Sequence, residues 1–213
     1  AYTPYGKVFD VGGSTRKAIS RYANGIEPLN CGGKTRMDNG NGALMRILPL
    51  AFVPHTAQDV LKVGKLTHAH EISQTACRLY VHLAYKLIEG TPIKEAICSL
   101  SYLPPVAHMK EFERISYIGE LNRDEIKSSG YVVDTLEAAL WCLWATSTYK
   151  DCVLTAVNLG EDTDTVAAVA GGLAGIVYGC GGKSGIPTRW INQIARREWI
   201  QMLCDNFESK FSK

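Results

Sequence analysis

Apolar side chains recur along this chain every three to four positions, and no stretch alternates with period two over the length of a strand. That pattern predicts an all-α fold, a compact single-domain helical bundle over residues 1–213 without interior linker, repeat or low-complexity segment. A short helix is expected over residues 14–22, capped by Ser14 or Thr15. Residues 25–42 form a long loop rich in Gly, Asn and Asp, and loops of that length in compact domains are usually functional. Residues 43–51 and 56–66 read as helices, the second opening at a Thr cap. The longest amphipathic segment is 71–89, with Ile72, Cys77, Leu79, Leu83 and Leu87 roughly on one side. Further helices are expected over 92–100, opening with Pro92 in the first turn, and over 106–121. Asp134 reads as the cap of 135–148, with Glu137 completing an acidic capping box, and Asp151 as the cap of a helix running to 159. Residues 165–178 and 188–206 close the series.

Composition narrows the class. Lys and Arg number 23 against 21 Asp and Glu, a formal charge of +2 with no block of like charge. This balance gives no reason to expect a nucleic acid or an anionic membrane as partner. The longest uncharged apolar stretch, 166–182, has seven Gly and Ala in its first ten positions, so it reads as a closely packed buried helix rather than a membrane span. The seven cysteines are odd in number, scattered and never spaced C-x-x-C, which argues against a disulfide framework or a zinc site and leads us to expect a reducing cytoplasm. The opening, Ala1-Tyr2-Thr3-Pro4-Tyr5-Gly6, lacks an initiator methionine and has neither the basic cluster nor the apolar run of a signal peptide.

Four motifs carry candidate chemistry. The sharpest is Gly160-Glu161-Asp162-Thr163-Asp164-Thr165, ahead of the Ala/Gly-rich helix. On a regular helix Asp162 and Asp164 would point about 200° apart, so they converge only if the chain is still turning into the helix there. Converging carboxylates with the Thr165 hydroxyl would suit a hard divalent cation; the plainer reading is an Asp N-cap. The second motif is Asp38-Asn39-Gly40-Asn41-Gly42-Ala43-Leu44-Met45-Arg46. Its glycines let backbone N–H groups approach an anion, Asn41 could donate to a phosphate, and Asp38 is a candidate acid, base or sugar ligand. Read alone, it is a turn and a cap. The third is Thr67-His68-Ala69-His70 at a helix junction, where a polar cap is the commoner role. The fourth is Ser129-Gly130-Tyr131-Val132-Val133-Asp134, whose Tyr131 could stack on a base or cover the core.

In combination, these motifs resemble the ADP-ribosylglycohydrolase family, which includes the dinitrogenase-reductase-activating glycohydrolases. G-E-D-T-D-T with its small-residue helix resembles the family's C-terminal metal motif, and N-G-A-L-M-R-I-L-P-L resembles its phosphate-binding turn. T-H-A-H and S-G-Y-V-V-D-T-L-E-A-A-L-W lie between them in the family's order. The resemblance implies an all-α fold with a two-metal centre of Mg²⁺ or Mn²⁺ in a cleft that takes ADP-ribose. It implies Asp162, Asp164 and Thr165 as metal ligands, and Asn39, Gly40, Asn41 and Gly42 around the diphosphate. It also implies His68 beside the diphosphate or ribose, Tyr131 near the adenine end and Asp38 near the ribose next to the scissile bond. As the candidate carboxylate beside the phosphate turn, Asp38 ranks first for the catalytic role. Glu161 stands where many members have Gly.

The expected activity is hydrolysis of the glycosidic bond linking ADP-ribose to a protein side chain or a related small ADP-ribosyl compound. Family members begin with a further helical segment bearing a Thr-Asp-Asp trio, and no such tripeptide occurs here. The chain is therefore expected to supply half of the metal site. That departure keeps open a non-catalytic ADP-ribose-binding or structural relative. A generic Mg²⁺-dependent phosphohydrolase shares the acidic cluster but does not explain the Asn-Gly turn or the Gly-Tyr loop.

Overall fold

The computed structural model describes residues 10–211; the opening stretch Ala1–Gly6 lies outside them. Among the described residues there are ten α-helices, several 3₁₀ segments and no strand beyond isolated bridges, so the all-α expectation holds. The helices are α1 (Gly13–Ala23), α2 (Ala57–Lys65), α3 (Glu71–Ile88), α4 (Ile93–Ser99), α5 (Pro104–His108), α6 (Val132–Ala145), α7 (Tyr149–Val157), α8 (Thr163–Tyr178), α9 (Thr188–Gln193) and α10 (Arg197–Phe211).

The core is built on α3, α6 and α8. Leu79, Leu83, Leu136, Leu140, Leu143 and Leu173 are fully buried, each contributing about 1.5–3 kcal/mol against exposure. All five positions read as the apolar side of α3 are buried, but so are Ser73, Gln74 and Thr75, because the first turn of α3 runs into the polar site described below. The small residues of α8 do what their size allows. A Cβ on Gly172 would lie 2.7 Å from Leu48 Cδ2 and 2.8 Å from Tyr80 Oη, and one on Gly171 would lie 3.2 Å from Tyr149 Oη. Close approach lets the Tyr80 hydroxyl donate to the Val169 carbonyl at 2.9 Å in the interior.

Several boundaries differ from the sequence pattern for identifiable reasons. Residues 43–51 form two 3₁₀ segments, Leu44–Arg46 and Leu48–Phe52, because Pro49 lacks an N–H and disfavours helix in the residue before it. The 106–121 segment breaks at an extended Met109, whose sulfur accepts from Thr75 Oγ1, and continues as a 3₁₀ run, Lys110–Glu120. Two caps are shifted by three residues. Tyr131, not Asp134, precedes α6, and Glu137 pairs with Arg114 at 2.7 Å instead of closing a capping box. Thr148, not Asp151, caps α7, accepting from the Asp151 N–H at 3.0 Å. Gly12 precedes α1 without a side-chain cap, and Pro92 sits at the N-cap of α4. The last predicted helix is interrupted at Ile194–Arg196, where Arg196 has φ 57°, and α10 buries none of its residues among those described.

Tyr80→Phe should lower the unfolding free energy by about 1–2 kcal/mol in urea titration, since the Val169 carbonyl loses a buried donor. Gly172→Ala should cost about 1–3 kcal/mol by overpacking against Leu48 and Tyr80. A neutral Gly172→Ala would mean that α8 does not depend on close approach.

Candidate active site

Three segments far apart in sequence meet at one cleft: the turn 39–42, the loop 128–131 before α6, and the loop 160–162 before α8. Backbone pairing joins the first two, with the Asn41 N–H donating to the Gly130 carbonyl at 3.0 Å and the Val132 N–H to the Asn39 carbonyl at 2.9 Å. The second and third are joined by the Asp162 N–H on the Ser128 carbonyl at 3.0 Å and the Ser128 hydroxyl on the Gly160 carbonyl at 2.9 Å. At the junction the Asn41 amide donates twice, to Thr135 Oγ1 at 2.9 Å and to Asp162 Oδ2 at 2.7 Å. Gly130 is tightly placed here, since a Cβ on it would be 3.3 Å from Asp162 Oδ2.

The acidic motif lies on a chain that is still turning. Gly160 has φ 94° and Glu161 φ 53°, Asp162 is outside the helix at φ −88°, ψ 65°, and Thr163 is the first residue of α8. Asp162 forms no side-chain cap hydrogen bond; the Thr165 N–H goes to Asp164 Oδ1 at 2.9 Å instead. Asp162 thus stands at the N-cap position with its carboxylate turned chiefly to Asn41. Asp162, Asp164, Thr165 and Asn41 all line one cleft, with Glu161 and Asp10 at its edge. Burial opposes the Asp162 charge, but hydrogen bonds from Asn41 and Thr165 outweigh it and hold the carboxyl below its ordinary range. It is ionised at neutral pH.

A second lobe of the cleft is formed by Gly40, Asn41, Gly42, Arg46, His68, Ser14 and Thr15. A Cβ on Gly42 would lie 3.0 Å from His68 Cε1 and 3.2 Å from Thr15 Oγ1, so any larger residue would have to push these side chains aside. The Gly42 N–H has no partner among the described residues. Arg46 Nη2 donates to Thr67 Oγ1 at 2.8 Å, which leaves the Thr67 hydroxyl to donate to His68 Nδ1 at 2.7 Å. With the Thr67 hydroxyl donating, the ring proton sits on Nε2, and the lobe then offers a backbone N–H, an imidazole N–H and a guanidinium, the donor types an anion requires.

Three expected site residues are placed differently. Asp38 lines neither lobe. Its Oδ2 accepts from the Thr35 N–H at 3.0 Å and the Thr35 hydroxyl at 2.6 Å, closing the turn, and Oδ1 faces Ser14 Oγ at 3.4 Å. Those Thr35 hydrogen bonds outweigh burial and hold it below the ordinary carboxylate range, so it is a poor proton donor. Asn39 is buried with its side chain committed to Arg36, His70 and Ser73, fastening the turn to the start of α3. Tyr131 is half-buried against the core; its backbone pairs with Gly40, and Gly130 rather than Tyr131 reaches the cleft. The sequence reading missed Thr135, Ser128 and Gly130 as the parts that connect the loops. Gly130 and Thr135 lie within the S-G-Y-V-V-D-T motif, and Ser128 directly precedes it.

A family model described as ADP-ribosylglycohydrolase matches residues 2–213. The chain belongs to this family. It is 35% identical over 208 residues to an ADP-ribosylarginine hydrolase, Tri1, of Pseudomonas putida (strain GB-1), covering 93% of this chain and 53% of that protein. It is 35% identical over 190 residues to the ADP-ribosyl-[dinitrogen reductase] glycohydrolase of Rhodospirillum rubrum, covering 87% and 60% respectively. Among solved structures, an ADP-ribosylglycohydrolase-related protein complex superposes with a TM-score of 0.75 at 31% identity, covering 90% of this chain and 66% of that one. The chain thus spans little more than half the length of these curated relatives. No helix among the described residues is long and apolar enough to cross a membrane.

The family's glycine turn makes a pH prediction through His68. Burial first, and the Arg46 charge second, push its imidazole down to about 4. An unfolded His protonates near 6.5, so the unfolded state binds more protons between these values, and stability falls as pH drops through that window. Thermal unfolding should show that decline, and His68→Asn should make it shallower. An equally steep decline in the variant would remove His68 as its source.

Proposed function

We propose that this cleft takes ADP-ribose attached to an arginine side chain of a protein and, with a divalent cation, promotes hydrolysis of the N-glycosidic bond. The observation that carries the reading is the meeting of Asp162, Asp164, Thr165 and Asn41 in one cleft continuous with the glycine turn and His68. The arginine linkage is that of the relative in Pseudomonas putida, an ADP-ribosylarginine hydrolase. A small ADP-ribosyl compound would fit the same chemistry.

The donor set suits a hard cation as one side of a site. It offers the carboxylates of Asp162 and Asp164 and the Thr165 hydroxyl along one cleft, all oxygen. Among the described residues no three His, Cys, Asp or Glu form a metal cluster, so further ligands would have to be water, substrate or protein outside this set. Mg²⁺ or Mn²⁺ held by Asp162, Asp164 and Thr165 would supply Lewis acidity and an acidified water. Asn41 keeps Asp162 ionised and aimed. The Gly42 N–H, His68 Nε2 and Arg46 would hold the diphosphate through backbone, neutral and cationic donors. In hydrolysis the water oxygen joins the anomeric carbon, the carbon–nitrogen bond breaks, and the departing guanidine nitrogen receives a proton. Asp38 acts indirectly by holding the Thr35 turn, and Tyr131 by packing. Because the proposed ligand set from this chain holds only two carboxylates, Asp162 and Asp164, a non-catalytic ADP-ribose-binding relative is the second reading.

In calorimetry on the full chain, Asp164→Asn should weaken Mn²⁺ binding roughly tenfold or more, one anionic ligand being lost from few. Gly42→Ala should weaken ADP-ribose by a similar factor while leaving Mn²⁺ affinity unchanged. Release of ADP-ribose from ADP-ribosylarginine separates the two readings: Mn²⁺-dependent release lost in Asp164→Asn supports the hydrolase, and binding without release supports the second. Unaltered Mn²⁺ binding in Asp164→Asn would return the acidic run to a structural role.

A further inference from the structure

A separate pocket of about 210 Å³ opens beside the middle of α3, sharing no residue with the cleft described above. Its floor is apolar, formed by Val60, Leu79 and Leu103 among others. Its polar wall comes from one face of α3 and the loop before α2. Arg78, His82 and Tyr85 follow at i, i+4 and i+7, and His55 faces them from the loop. No acidic residue lines it.

Arg78 is half-buried and has no carboxylate partner among the described residues. The two acids that act electrostatically on His55 and His82 are already engaged, Asp59 with Thr56 and Lys62, and Glu89 with Lys86 and the Tyr85 hydroxyl. A guanidinium is always charged, and one left partly desolvated without a counter-ion is costly unless something supplies the charge. The ring of His55 is held in place: its Nδ1–H donates to the Val53 carbonyl at 2.9 Å, and its edge meets Tyr85 at a centroid distance of 6.3 Å. Only Nε2 is left for an outside contact.

We propose that this pocket is a binding site for a small organic carboxylate, with Arg78 taking the carboxylate and the apolar floor taking the body of the ligand. The guanidinium fork matches a carboxylate with two parallel hydrogen bonds, and His82 adds a donor one turn along the same helix. The volume lies below that of pockets for drug-sized ligands, about 300–1,000 Å³, which favours a compact ligand such as a single ring or a short aliphatic chain. A bare inorganic anion would leave the apolar floor unused. Occupancy of this pocket does not depend on the reading of the main cleft as a hydrolase site.

Benzoate serves as the probe, titrated into the full chain while backbone amide shifts are followed by NMR. Saturable shifts are expected around residues 55–60 and 78–85, and Arg78→Gln should weaken binding roughly tenfold or more. Benzyl alcohol, the neutral counterpart, and inorganic phosphate, the charge without the ring, should each bind roughly tenfold more weakly than benzoate to the unaltered chain. Those two comparisons need no variant and hold even if Arg78→Gln fails to fold. Equal binding of benzyl alcohol would reduce the pocket to an apolar cavity, and equal binding of phosphate would reduce it to a charge site. Either outcome overturns the proposal, as do absent shifts or shifts confined to the cleft of Asn41 and Asp162.

Discussion

One side-chain amide joins the parts of this site. Asn41 gives one hydrogen to the Asp162 carboxylate and another to the Thr135 hydroxyl, tying together positions 94 and 121 residues away in the chain. A hydrogen bond to a charged acceptor is worth about 1.5–3 kcal/mol, and leaving such an acceptor half-buried without its donor costs comparably. The bridge does more than add stability. It places the acidic loop before α8 against the glycine turn, and it favours the charged form of Asp162.

The helices exist in the arrangement this bridge requires. Leu48 and Tyr80 reach α8 only because Gly172 leaves them room, which brings the start of α8 beside the turn that follows the long glycine-rich loop. The first turn of α3 is polar and buried, so that Ser73 can hold Asn39 and Gln74 can hold the His68 carbonyl. Two residues that looked reactive, Asp38 and Asn39, are spent on building the turn. The residues left over, a glycine N–H, a neutral imidazole and two carboxylates along one cleft, are the ones with capacity for a ligand.

The fold class was legible because long segments of 3.6-residue periodicity leave few alternatives, and α3 and α8 fall where that period places them. Boundaries were less legible wherever a capping residue had a rival within three positions. Thr148 and Asp151 form a reciprocal pair, and sequence alone does not say which of the two sits outside the helix. That Asp162 and Asp164 line one cleft fits the geometry of a chain still entering a helix, and Gly160 with Glu161 provides the turn. The parts not visible were those in which a polar side chain faces inward toward a distant segment. Asp38 toward Thr35 and Ser14, Asn39 toward Ser73 and Thr135 toward Asn41 depend on tertiary neighbours that no local pattern encodes.

The central claim is that three loops form one mechanical unit through Asn41. Native-state hydrogen exchange tests it directly, reading the amides of Asn41, Val132 and Asp162, one from each joined segment and each bonded across to another. In Asn41→Ala all three should exchange faster together, roughly tenfold or more, while amides in the middle of α3 keep their protection. If only the amide at position 41 changes and those of Val132 and Asp162 stay as slow as before, the loops are held independently and the bridge is not what assembles the site.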